Sequence, residues 1–116
     1  MGRERSPSTL LQGTLDMLIL KTVALEPCHA YGIGNRIAQI SNGTFQVNAG
    51  SLFPGLRRLE RDGLIKGQWQ ITDNNRRAKL YSLTRAGRTE LDRQTRDWNA
   101  QSVAIGAILK TQPEHL

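Results

Sequence analysis

Few side chains in this sequence could do covalent chemistry, and they are scattered. Cys28 is the single cysteine, and the two histidines, His29 and His115, stand far apart. One thiol excludes an internal disulfide and argues against a zinc cluster. No nucleophile–base–acid set, phosphate-cradling glycine loop or metal-ligand spacing is present. Beside His29, Cys28 reads better as a small, partly buried thiol at a helix-helix turn than as a redox or metal sensor. The chain is therefore expected not to be an enzyme and to need neither cofactor nor metal. What it carries in quantity is positive charge: 16 Lys and Arg against 10 Asp and Glu give a net charge of +6 and a pI near 10.3. Such a balance points to a polyanionic partner, nucleic acid first and an anionic membrane second. Two clusters of these cations stand out, Arg57, Arg58 and Arg61, then Arg76, Arg77 and Lys79. Their chemistry is phosphate neutralisation with release of counterions.

The first group needs a helix to present it. From Asn48 to Ile65 the chain reads N-A-G-S-L-F-P-G-L-R-R-L-E-R-D-G-L-I. At 100° per residue Leu52, Leu56 and Leu59 share one side, and Gly50, Ser51, Pro54, Arg57, Arg58 and Arg61 the other. Small or rigid outward residues come first and arginines later, so the early turns could approach base edges while the guanidinium groups bind phosphates. Asn48 suits the N-cap. Pro54 should kink a helix capped there, or fall harmlessly in the first turn of one that starts near Ser51; the letters leave both open.

The second group needs a hairpin. Asp62-Gly63 stops the helix, Leu64 to Ile71 alternates as a strand, and Ala78 to Leu83 returns as a second strand. The turn Thr72-Asp73-Asn74-Asn75-Arg76-Arg77 sets a pair of arginines at its tip, suited to a narrow minor groove or flanking phosphates. Helix followed by hairpin predicts a mainly α fold with a two-stranded β-hairpin, a winged helix-turn-helix with a long C-terminal helix. In chain order, residues 1–9 form a polar arm, 10–83 the winged domain, and 84–116 the C-terminal helix and a fraying tail.

The remaining helices point to self-association. Leu10 to Leu25 is apolar on nearly every side and must be covered all round. Glu26-Pro27-Cys28-His29 ends it, and Tyr31 to Ser41 makes a short second helix with Gly32 and Gly34 at a close approach. After Thr84, a helix reaching about Lys110 places Leu91, Trp98 and Ile105 seven residues apart, with Leu109 on an adjacent line. A 116-residue chain has little left to cover such a seam. The expected homodimer interface comprises Leu11, Leu15 and Leu18 with Leu91, Trp98, Ile105 and Leu109. Asp16 and Lys21 interrupt the first apolar run, which falls short of the ~20 residues of a membrane span, and no secretory segment is visible. A soluble cytoplasmic protein without a membrane partner is expected.

These stretches resemble the PadR family of bacterial transcriptional regulators over nearly the whole chain. The resemblance rests on L-L-Q-G-T-L-D-M-L-I-L at Leu10 to Leu20, H-A-Y-G-I at His29 to Ile33, the Asn48–Ile65 stretch, and N-N-R-R-A-K-L-Y-S-L-T-R-A-G at Asn74 to Gly87. The short last helix looks like that of the smaller branch, which dimerises through one C-terminal helix. The resemblance implies a homodimeric repressor on a palindromic operator in double-stranded DNA, released by an effector that is often aromatic. Carried over by position, Asn48, Gly50, Ser51 and Pro54 begin the recognition helix, Arg57 and Arg58 face phosphates, and Arg76 and Arg77 form the wing. Trp98 stands where some small members stack a planar ligand, though an interface anchor is an equal reading. Phe53 replaces a tyrosine common in the family and Ala30 a glycine. The competing reading is a winged-helix protein-interaction or assembly module without specific DNA binding.

Overall fold

The computed structural model describes residues 12–116. Within them the order is α1 (Gln12–Leu25), β1 (Cys28–His29), α2 (Ala30–Ile40), α3 (Ala49–Arg61), β2 (Ile65–Ile71), β3 (Arg77–Leu83) and α4 (Arg85–Lys110), then one 3-10 turn at Pro113–His115. The expected arm at residues 1–9 and Leu11 lie outside the described residues.

Three inward stripes meet at one core. Leu15, Ile19, Leu20 and Val23 of α1, Ile33 and Ile37 of α2, and Leu52, Leu56 and Leu59 of α3 are buried together with Ile65, Tyr81 and Leu91. Each fully buried Leu or Ile stabilises by about 1.5–3 kcal/mol relative to its exposed state, so α3 is anchored through its leucines. Leu15 and Leu91, expected at a dimer interface, are used up in this core at 4% and 3% exposure. Leucines packed inside one chain have little surface left for another.

The sheet is larger than the two-stranded hairpin that the sequence predicted. Cys28 and His29 pair antiparallel with Tyr81 and Leu80, so the sheet has three strands in the order β1-β3-β2. Pro27 cannot donate to a helix and its neighbour is pushed toward extended geometry, which hands this short link to the sheet edge. β2 pairs with β3 from Ile65↔Leu83 to Ile71↔Arg77, which puts Arg77 in the strand rather than the turn.

The joints on either side of the hairpin are closed by specific bonds. At the end of α3, Leu64 N–H donates to the Leu59 carbonyl at 2.9 Å and Gly63 N–H to Glu60 at 3.1 Å, with Gly63 at φ +74. This paired pattern ends a helix on a left-handed residue, a position that favours glycine. The Thr84 hydroxyl donates to the Gly63 carbonyl at 2.6 Å and accepts from Gly87 N–H at 3.0 Å, capping α4 against the end of α3. A Cβ on Gly87 would strike the Leu64 carbonyl oxygen, so only glycine lets α4 start there. From Arg85 the helix is continuous through Gly106 to Lys110, and the tail expected to fray makes its 3-10 turn. Because Gly87 and Leu91 are buried, the first turns of α4 pack with the winged core.

Candidate nucleic-acid interface

On helix α3 only part of the outward face expected from the sequence is exposed, and the start of the helix is defined by its cap. Asn48 is extended at φ −82, ψ 163, and its side-chain oxygen accepts from Ser51 N–H at 2.9 Å. Regular helix therefore begins at Ala49, and Pro54 lies inside it. Its ring withholds the hydrogen that the Gly50 carbonyl would receive four residues on. Gly50, Ser51 and Arg57 are exposed, and Phe53 is 44% exposed at the same end. A Cβ on Gly50 would meet the capping Asn48 oxygen at 3.2 Å, so the small residue also protects the cap.

The arginines of α3 divide. Arg57 is exposed and has no ion-pair partner among the described residues. Arg61 is 70% exposed, with only a 3.5 Å contact to Asp62. Arg58, expected to face phosphates, instead turns toward α1, where its Nη2 donates to Asp16 Oδ1 at 2.9 Å. Both side chains are mostly enclosed, at 24% and 16% exposure, and Arg58 Nε is buried with no hydrogen-bond partner among the described residues. The reason is the close passage of α1: a Cβ on Gly55 would touch Ile19 Cδ1 at 3.1 Å and Asp16 Oδ1 at 3.4 Å. The carboxylate is then the nearest counter-charge for a guanidinium one turn along.

The wing shows the same sorting. Its turn is held by Thr72 N–H donating to the Arg76 carbonyl at 2.8 Å and Asn75 N–H to Thr72 at 2.9 Å, with Asn75 at φ 58. Arg76 in the turn and Arg77 at the start of β3 are both exposed. Lys79, also expected to contact DNA, donates to Glu60 Oε1 of α3 at 2.9 Å, and this hydrogen bond holds its pKa above the usual lysine value. It links the wing to the recognition helix. Trp69 lies opposite Lys79, a pairing that sequence reasoning missed because a turn running from Thr72 to Arg77 would have put Trp69 opposite Leu80.

Away from this surface, α1 and α4 flank an open cleft of about 470 Å³ lined by Met17, Leu18, Lys21, Arg88, Leu91 and Trp98 among others. Leu18 is half-buried, while Trp98, Ile105 and Leu109 are exposed at 50%, 54% and 79%. Cys28 is buried with its Sγ 3.8 Å from Arg36 Nη1, and burial pushes the thiol's pKa up, against thiolate chemistry. Among the described residues no cluster of His, Cys, Asp or Glu could hold a metal, and no helix is long and apolar enough to cross a membrane.

A basic recognition-type helix joined to a winged hairpin and a long terminal helix is the arrangement expected from the sequence, and comparison with known proteins agrees. The model of the transcriptional regulator PadR-like family matches residues 19–93. The chain belongs to the PadR-like family of transcriptional regulators. A transcriptional regulator of Mycobacterium tuberculosis is 36% identical over 70 residues, covering 59% of this chain and 64% of that protein. The crystal structure of a PadR-like regulator from Bacillus cereus superposes with a TM-score of 0.77 at 26% identity, covering 90% of this chain and all of that one. A PadR-family regulator from Eggerthella lenta gives 0.76 at 29% identity, covering 87% and 86%. As a PadR-family member the chain is a transcriptional regulator and not an enzyme.

Proposed function

We propose that this PadR-family regulator is a homodimeric, sequence-specific DNA-binding repressor. In this reading α3 enters the major groove of each half of a palindromic operator, and the hairpin reaches the flank. The observation that carries it is the shared exposure of Gly50, Ser51, Arg57 and Arg61 on α3 and Arg76 and Arg77 on the wing. Small residues lead, cations follow, and a second cationic element stands beside them. Asn48 serves by fixing the start of the helix, and Pro54, inside it, belongs to the DNA-facing side. Arg58 and Lys79 act through their ion pairs, as struts between elements.

Dimerisation rests on the uncovered surface of α4. Trp98, Ile105 and Leu109 lie exposed on a helix about 39 Å long, at 1.5 Å per residue. With Leu18, and with Leu11 by its sequence position, they would meet the same surface of a second copy. The segment division at 10–83 and 84–116 belongs to this reading, with the distal part of α4 as the pairing arm. The cleft beside Trp98 has the size for a small aromatic effector whose binding would release DNA.

Footprinting on DNA selected from a random pool tests the reading. A protected palindrome, with affinity falling steeply as salt rises at a log-log slope of about −0.9 per phosphate contact, is the expected result. Unselective binding with no protected sequence would instead favour the protein-interaction module.

A further inference from the structure

The wing carries an exposed indole for which the core has no use. Trp69 is 57% exposed and Ile71 72%, yet the strand around them is otherwise polar. Because Trp69 pairs with Lys79 and Ile71 with Arg77, these four side chains share one sheet face. The Arg77 guanidinium carbon lies 4.6 Å from the Trp69 ring centroid, and Lys79 Nζ lies 5.6 Å from it. Lys79 at the same time donates to Glu60 of α3. Its aliphatic stem crosses Gly67, where a Cβ would collide with it, so the absent side chain keeps the lane open. A continuous set of contacts thus runs from Glu60 on α3 through Lys79 and Trp69 to Arg77 near the tip of the wing.

We infer that Trp69 is a positioning residue: it pre-orders Arg77 for the DNA flanking the major-groove contact and fixes its offset from α3. The inference rests on the DNA-binding reading given above. An unrestrained arginine loses much of its rotamer freedom when it binds a phosphate or enters a groove. Held over the indole ring, the guanidinium has made part of that loss beforehand, and a cation over a ring face keeps N–H groups free to donate elsewhere. A narrow A·T-rich minor groove has the strongest negative potential for such a group. Trp69 therefore bears on flank selectivity without itself contacting DNA, and the lysine link sets the distance between the two reading elements.

The experiment measures binding of the full-length protein to two duplexes: the sequence selected by wild type from a random pool, and the same sequence with any A·T pairs in the wing-side flanks changed to G·C. Trp69→Ala, Trp69→Phe, Arg77→Ala and the double alanine variant are compared, with thermal melting to confirm folding. Trp69→Ala and Arg77→Ala should each weaken binding to the selected duplex by roughly fivefold to tenfold and erase the preference between flanks. The double variant should be no weaker than Arg77→Ala alone. The salt slope should fall by about 0.9 in both single alanine variants, a change that loss of fold stability does not produce. Trp69→Phe should recover most of the affinity, because phenylalanine still offers a ring face. Unchanged affinity and slope in Trp69→Ala would overturn the inference while leaving the DNA-binding reading intact. Additive losses in the double variant would also overturn it, because the indole would then be acting on its own. If wild type selects no sequence from the pool, the DNA-binding reading fails and takes this inference with it.

Discussion

The two elements that face outward together are held by different forces. Helix α3 is fixed from below: Leu52, Leu56 and Leu59 are at most 5% exposed, Asn48 caps one end and the Gly63 turn closes the other. The distal part of the hairpin, Trp69 to Lys79, has no such footing. Its large apolar residues are exposed, and cross-strand pairing, cation stacking on Trp69 and the Lys79–Glu60 ion pair hold it. Burial is almost indifferent to salt, whereas surface charge contacts are screened within about 8 Å at physiological ionic strength. The helix should thus keep its shape in every condition in which the protein is folded, while the wing's set should be tunable by salt and pH.

The widest gap between the two regions should appear on truncation of an apolar side chain. Leu56→Ala removes a leucine of 1% exposure from the centre of the core and is expected to cost about 2–5 kcal/mol in denaturant unfolding. Ile71→Ala, on the wing at 72% exposure, should stay within about 0.5 kcal/mol. Equal effects would mean that the wing has a hydrophobic footing after all.

Next in size is the contrast between neighbouring arginines of α3. Arg58→Ala strands the Asp16 carboxylate at 16% exposure, and should destabilise by about 1–3 kcal/mol while leaving the salt slope of DNA binding unchanged. Arg57→Ala should do the reverse, with stability within about 0.5 kcal/mol, affinity lower by about tenfold for all sequences and a salt slope smaller by about 0.9. Calorimetry and salt-dependent gel shifts on the same two variants separate a strut from a contact.

Much of this molecule could be read from its letters because the signals were local. The leucine spacing of α3, the Asn48 cap, the Asp62-Gly63 stop and the Thr84 cap each act within one turn of chain. What escaped depends on tertiary placement. A helical projection puts Arg57 and Arg58 on the same outward side, and only the passage of α1 beside Gly55 shows that one of them meets Asp16. Residues 28–29 became a strand because β3 had an edge to fill. Leu15 and Leu91 carry the same pattern as true surface leucines, since periodicity marks an apolar side and cannot tell one's own core from another chain's. Lys79 and Glu60 lie in different elements, and their pairing follows from the hairpin folding back over α3.

That last pairing supplies the smallest test and the one most specific to the wing. The hydrogen bond that Lys79 donates to Glu60 holds the lysine pKa above its usual value of 10.5. A group whose folded-state pKa is raised contributes stability in full below the unfolded value and loses it as pH rises through the folded one. With both side chains about one-third exposed, the contribution should be small, about 0.2–1 kcal/mol. Glu60→Gln should therefore melt slightly below wild type at pH 8, and the difference should close above pH 10.5 as Lys79 loses its proton. Salt should close the gap in the same way at pH 8, since the pair is partly open to solvent. A difference that persisted at high pH would show that Glu60 stabilises through packing on α3, and the wing would then be tied to the helix by something other than charge.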